Sequence, residues 1–268
     1  MKGLVLHFFL LCVALLVFPT THLKAQQPFF TDDADVTPLR KFHFQFHNEF
    51  DVLSRSAFPN LKQNTADFEL DYGLFEHVEI GVEVPLLTVI NDRGVLQRRV
   101  SGIGDTNLSM KYNFLRESDH SKLPALTITF NLELPTGNVS KQLGSGLADF
   151  YLNGVVQKSL TAKTTLRLNG GILFSGNETT GVVGIRTRGT VFTGGVSVVR
   201  QFTKKLDLGV ELVGAETKSF SLGKGQLQTQ FGGNFAIAKN ATLDFGIITG
   251  RYVASPRVGA QLGVSIDF

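Results

Sequence analysis

Charged side chains recur at alternate positions along this sequence, and that spacing limits what they can do. Asp67, Glu69 and Asp71 form one run and Glu79 and Glu83 another. Asp105, Lys111, Glu133, Asp149, Arg167, Asp207 and Glu211 continue the pattern, with Asp244, Asp267 and Arg188 as further members. Residues two apart share a face of a strand but not of a helix. Turned toward an enclosed lumen, these side chains would line a passage richer in carboxylates than in bases. Rings of carboxylates favour cations or neutral polar solutes over anions. An equally good reading is that they pair across the lumen with Lys111 and Arg167, or simply hydrate its wall.

Other constellations carry less. His43 and His47 share a strand face but stand roughly 13 Å apart, too far for one metal ion. His47 and Glu49 are nearer, yet a lone pair is not a site. Asp32, Asp33 and Asp35 lack the fixed spacing of a calcium loop, so a solvated segment is expected there. No G-x-S-x-G elbow and no His-Glu-x-x-His occurs. Gly102 and Gly104 lack the third glycine and following helix of a dinucleotide fingerprint. No catalytic residue, metal or cofactor is expected.

The elements positioning these groups follow from period. From residue 42 onward, apolar and polar residues alternate in segments of about ten, the strand length of a tilted membrane barrel. Phe42, Phe44 and Phe46 oppose His43, Gln45 and His47; Val78, Ile80, Val82 and Val84 oppose Glu79, Gly81 and Glu83. Twelve such segments can be marked, the eighth (190–199) ambiguous because both its faces are mildly apolar and the eleventh (242–252) weak in alternation. Tight turns at 74–77, 160–163, 202–204 and 238–240 alternate with longer connections. That is the two-sidedness of an outer-membrane barrel with short periplasmic turns. The longest connection, 86–101, carries Arg93, Arg98 and Arg99 and is expected as an external loop able to fold inward. The polar face holds Gly, Ser, Thr, Asn and Gln with few lysines, unlike the outside of a soluble sandwich.

The N-terminal residues read as an export signal. Lys2 precedes an apolar stretch from Leu4 to Phe18, then a polar segment ending at Ala25, where cleavage is expected. Loss of Lys2 and Lys24 lowers the formal net charge from +3 to +1 and removes Cys12, the only cysteine. The near-neutral remainder lacks the basic stripe of a nucleic-acid binder. The expected organisation is a signal over 1–25, a periplasmic lead over 26–40 and an all-β transmembrane barrel over 41–268. The last strand alternates up to Phe268, as a closing strand between lipid and lumen would.

Several strings resemble the MetA-pathway phenol-degradation family of outer-membrane barrel transporters. These are PFFTDDADVTP, YGLFEHVEIGVEVPL, GIGDTNLSMKYNFL and LELPTG. Phe268 also resembles the C-terminal signal read by bacterial barrel-assembly machinery. The resemblance implies a barrel in outer-membrane lipid that passes small solutes. The aromatic association belongs to the family and is not visible in these residues. Two other readings stand beside this one: an adhesive or structural barrel with a plugged lumen, and a barrel enzyme.

Overall fold

The computed structural model describes residues 28–53, 61–91, 99–118, 122–141, 143–174, 189–217, 226–252 and 255–268. The expected signal, Cys12, Arg93, Arg98 and Arg188 lie outside these residues.

The strands are β1 (Phe42–Val52), β2 (Leu61–Phe75), β3 (Val78–Asn91), β4 (Arg99–Ile103), β5 (Thr106–Leu115), β6 (Ala125–Leu134) and β7 (Asp149–Thr161). They continue as β8 (Thr164–Phe174), β9 (Thr190–Gln201), β10 (Leu206–Thr217), β11 (Gln226–Ala236), β12 (Ala241–Gly250) and β13 (Val258–Asp267). Consecutive strands pair antiparallel, except that β4 and β5 do not pair with each other, and β1 pairs with β13 from His43↔Asp267 to Val52↔Val258, closing the sheet. Both β4 and β5 pair with β3, so they are two halves of one stave, and the barrel has twelve. In hydrocarbon every backbone polar group needs a partner, and only such closure supplies it for strands.

The outer surface is apolar. Phe231, Ile247 and Leu262 are more than half exposed, which a membrane barrel tolerates because lipid covers that face. Aromatic rings gather at the end carrying the short turns. Phe42 lies 4.8 Å from Tyr72 and stacks 5.5 Å from Phe268. Phe42 and Phe268 also exchange backbone hydrogen bonds of 2.8 and 3.0 Å, so the last residue is pinned to the first strand.

The expected external loop requires correction. The connection 86–101 is mostly strand: β3 runs on to Asn91 and pairs with β4 from Leu86↔Ile103 to Ile90↔Arg99. Apolar Leu87 and Val89 bury inward there and stabilise the extension. The segment 190–199, ambiguous in alternation, forms β9 as expected, and its inner face mixes Val191, Thr193, Gly195, Ser197 and Val199 where it meets the N-terminal segment within the barrel. A Cβ added at Gly209, beside β9, would fall 2.8 Å from Phe29 Cζ.

Candidate functional site: a lumen divided by the N-terminal segment

Residues 28–39 run inside the barrel, contrary to the solvated lead expected from the acidic run. The cause is a set of complementary side chains on the inner wall. Pro38 crosses β2 at Gly73, where a side chain would collide with the Pro38 carbonyl. There Leu39 bridges to Gly73, and the Arg40 N–H donates to Gly73 O at 2.8 Å. Arg40 then turns the chain into β1 with a positive φ of 59°.

Higher in the lumen, Thr37 N–H donates to Glu79 Oε2 at 2.5 Å. The Ala34 carbonyl accepts from Asn113 Nδ2 and Thr127 Oγ1 at 2.6 and 2.7 Å. Lys111 Nζ bridges Asp32 and Asp33 at 3.1 and 2.9 Å. Arg167 Nη2 stands 3.8 Å from Asp33, and its Nε donates to Gln157 at 3.1 Å. Glu211 accepts from the backbone N–H groups of Phe30 and Thr31, both at 2.8 Å. Gln230 Nε2 donates to the Pro28 carbonyl. The segment's backbone would be costly to bury without such partners.

Lys111 and Arg167, on the wall, thus pair with carboxylates of the lead. Asp207 sits inward on β10 opposite Gln201 and Asn234. Asp244 accepts from Ser265, Asn234 and Thr242. The histidines are also engaged within the wall. His43 Nδ1 lies 2.5 Å from Asp267, and His47 Nε2 lies 3.1 Å from Asp67. Their other ring nitrogens are buried with no hydrogen-bond partner among the described residues.

Three of the strings quoted above meet at the far end. Between Ile103 and Asn107, three residues oppose the two residues Val84 and Pro85 of β3, a bulge. Proline is tolerated at such a place, and the Pro85 carbonyl accepts from Gly104 N–H at 2.8 Å. Asp105, at the break, accepts from the backbone N–H groups of Gly137 and Ser145, both at 2.8 Å. It thereby draws the β6–β7 connection inward, and Leu143 packs on Leu87, Val89 and Val100. The inward-folding connection is therefore this one. Asp105 and Gly137 were visible in sequence, but nothing there showed that they meet.

Above the lead lies a cavity of about 600 Å³. Asp67, Glu69, Asp71, Glu79, Glu83, Asp105, Lys111, Glu133 and Asp149 all line it, whereas Arg167, Asp207 and Glu211 do not. Phe29, Phe30, Leu87, Leu143, Leu173 and Val213 give it an apolar side. A second space of about 1090 Å³ lies on the short-turn side, bounded by Asp35, Pro38, Arg116, Glu117 and Lys158. The lead stands between the two spaces. Sequence reasoning missed its residues as site residues; the one available signal was the density of paired acids and apolar side chains in PFFTDDADV.

Solved structures share this architecture. The outer membrane channel from Pseudomonas putida F1 is 15% identical and aligns over 88% of this chain and 98% of its own, with a TM-score of 0.68. The NanC porin is 8% identical over 84% of this chain and 98% of its own, at a TM-score of 0.55. The KdgM porin, solved with disordered oligogalacturonate, is 13% identical over 84% of this chain and 99% of its own, also at 0.55. At these identities the likeness establishes the fold. No curated protein matches the chain in sequence. A family model matches residues 26–268, everything after the expected signal, and the chain belongs to the family described as "Putative MetA-pathway of phenol degradation".

Proposed function

We propose that the protein is an outer-membrane channel through which small solutes pass passively, entering the polar lumen and moving beside the lead. The observation that carries this is the pair of spaces inside a closed barrel, separated by a single segment held through side-chain contacts. The apolar exterior fits lipid on the outside, and the short turns with both chain ends fit the periplasmic side. The P. putida protein is itself an outer membrane channel, which supports the same role and place here. An export signal ending at Ala25 and recognition of the Phe268 strand by barrel-assembly machinery belong to the same reading. Small neutral solutes, aromatic ones included, are the first substrates to try.

The lead inside the lumen favours one other reading, a barrel whose plugged interior conducts nothing and which works through its external connections. Proteoliposome swelling with a series of sugars and small aromatic alcohols separates the two. A channel gives rates that fall with solute size; a plugged barrel gives none for any solute. A barrel enzyme is disfavoured because no hydroxyl stands within hydrogen-bonding distance of the free nitrogen of His43 or His47 among the described residues. Esterase turnover that disappears when both histidines are replaced would revive it.

A further inference from the structure

We infer that the rim carrying the short turns binds the phosphate groups of anionic phospholipids in the periplasmic leaflet. The inference takes the sidedness of the barrel from the reading above and does not depend on conduction. Short connections follow β2, β5, β7, β9 and β11, so they recur at every second stave around the barrel. At each, one large apolar side chain is more than half exposed: Phe75, Leu123, Leu160, Phe202 and Ile237 in turn. The junction of β13 with β1 is the sixth position, and there Phe42 and Phe268 are the exposed rings. Aromatic and apolar girdles of this kind mark the level of the lipid headgroups.

Bases stand beside these side chains. Lys122 precedes Leu123, Lys163 ends the turn after Leu160, Lys204 and Lys205 follow Phe202, and Lys239 lies two residues beyond Ile237; all are exposed. Arg40 and Lys41, also exposed, stand at the entry to β1. The β2–β3 turn has no Lys or Arg of its own, and Arg116 reaches it from the β5–β6 connection, its Nη2 donating to the Glu76 carbonyl. Arg200 alternates with Val198 on the outer face of β9, opposite Leu208, and its guanidinium lies 6.0 Å from the centre of the Phe202 ring. A basic side chain so placed lays its stem along apolar surface and presents its charge at the headgroups. Acids do not balance these bases. Among the described residues the connections hold only Glu76 and Glu117, and Glu117 is taken by Lys158 at 2.6 Å.

The circular arrangement decides the occupant. A docked protein or a strand of cell-wall polymer would meet one sector of the rim. Bases beside apolar side chains instead recur all the way round, as the lipid surrounding a barrel does. An apolar side chain exposed at every turn suits acyl chains, and the adjoining base suits the phosphate above them. Zwitterionic lipids carry an ammonium of their own that competes for that phosphate. The net negative charge of an anionic lipid has no such competitor, so it gains most from each lysine or arginine at the surface.

The test reconstitutes the full-length protein in phosphatidylcholine vesicles holding a trace of spin-labelled phosphatidylglycerol or spin-labelled phosphatidylcholine. Electron spin resonance reads the motionally restricted fraction of each label. At low salt phosphatidylglycerol should be favoured about fivefold, the effect of one base near an anionic lipid. The variant Lys163→Gln, Arg200→Gln, Lys204→Gln, Lys205→Gln and Lys239→Gln strips the bases from the β7–β8, β9–β10 and β11–β12 connections, half of the rim, and should roughly halve that ratio. In the wild type the ratio should fall toward one in about 1 M potassium chloride, where charges are screened beyond about 3 Å. This second arm decides the matter if the variant does not assemble. A wild-type ratio near one, or one indifferent to salt, would overturn the inference, as would an unchanged ratio in the folded variant. Retention on purified peptidoglycan that the variant loses, without any lipid preference, would assign the rim to the polymer and equally overturn it. Swelling and conductance read the channel independently, so failure here leaves that reading intact.

Discussion

Replacing Lys111 with methionine should release the lead from the lumen. The ammonium is 4% exposed and lies 2.9 Å from Asp33, itself 4% exposed, and 3.1 Å from Asp32. Removing one partner of a buried ion pair costs about 3–5 kcal/mol, because the remaining charge stays buried. Two features reduce this. Asp32 is 12% exposed at the cavity floor, where water can replace the lysine, and Arg167 stands 3.8 Å from Asp33. A loss of about 3 kcal/mol remains, equivalent to roughly a 150-fold shift from seated toward released lead. The barrel itself should persist, since its strands are held by their own ladder. Single-channel recording should show larger or more frequently open conductance, and limited proteolysis should cut within 28–39, where the wild type resists. Adding Asp33→Asn should restore much of the seating, because removing both charges leaves less unpaired. Unchanged conductance together with an unchanged cleavage pattern would refute the view that this ion pair holds the lead.

Further outcomes follow from other contacts. Asp105→Ala removes the acceptor of two backbone N–H groups, at about 1.5–3 kcal/mol for each bond to a charged group; hydrogen exchange at 137–145 should rise while exchange in β10–β12 stays unchanged. Glu117 lies in the short-turn connection after β5. Partial burial pushes its carboxyl up, but hydrogen bonds from Lys158 and Ser159 outweigh this and hold it below the ordinary glutamate range. Its contribution is therefore present above the ordinary glutamate pKa and lost as pH falls through the lowered value. Ser159 amide exchange, corrected for pH, should accelerate across that window in the wild type and should be fast and insensitive to it in Glu117→Gln. Phe268→Ala removes the stack on Phe42, worth about 0.5–1.5 kcal/mol beyond area, and should lower the temperature at which the folded band is lost on unheated gels.

The staves were legible because alternation is a local property. Most runs from Phe42 to the closing strand state which side chains face lipid, the eighth and eleventh being the exceptions, and the alternation of short and long connections states the sidedness. The acids of β2 and β3 could be assigned inward by parity alone. Who meets whom was not legible. Asp32 and Asp33 reach Lys111 across 79 and 78 residues, and Phe30 and Thr31 reach Glu211 across 181 and 180. No local pattern encodes such a contact. An acidic run beside two phenylalanines reads as solvated when taken alone; only the matching bases, amides and glycines on distant strands make its burial favourable. The row in which Glu69, Glu83, Asn107, Glu133 and Asp149 stand opposite one another across β2, β3, β5, β6 and β7 emerges the same way, since register across four strand pairs depends on the Asp105 bulge and on turn lengths.

The central claim, a conduit narrowed by the lead, is tested most directly by single-channel conductance of the folded wild type against a variant lacking residues 28–38. The expected result is a small but measurable wild-type conductance that rises several-fold in the shortened chain. Silence in both, with both shown to be folded barrels, would contradict a channel.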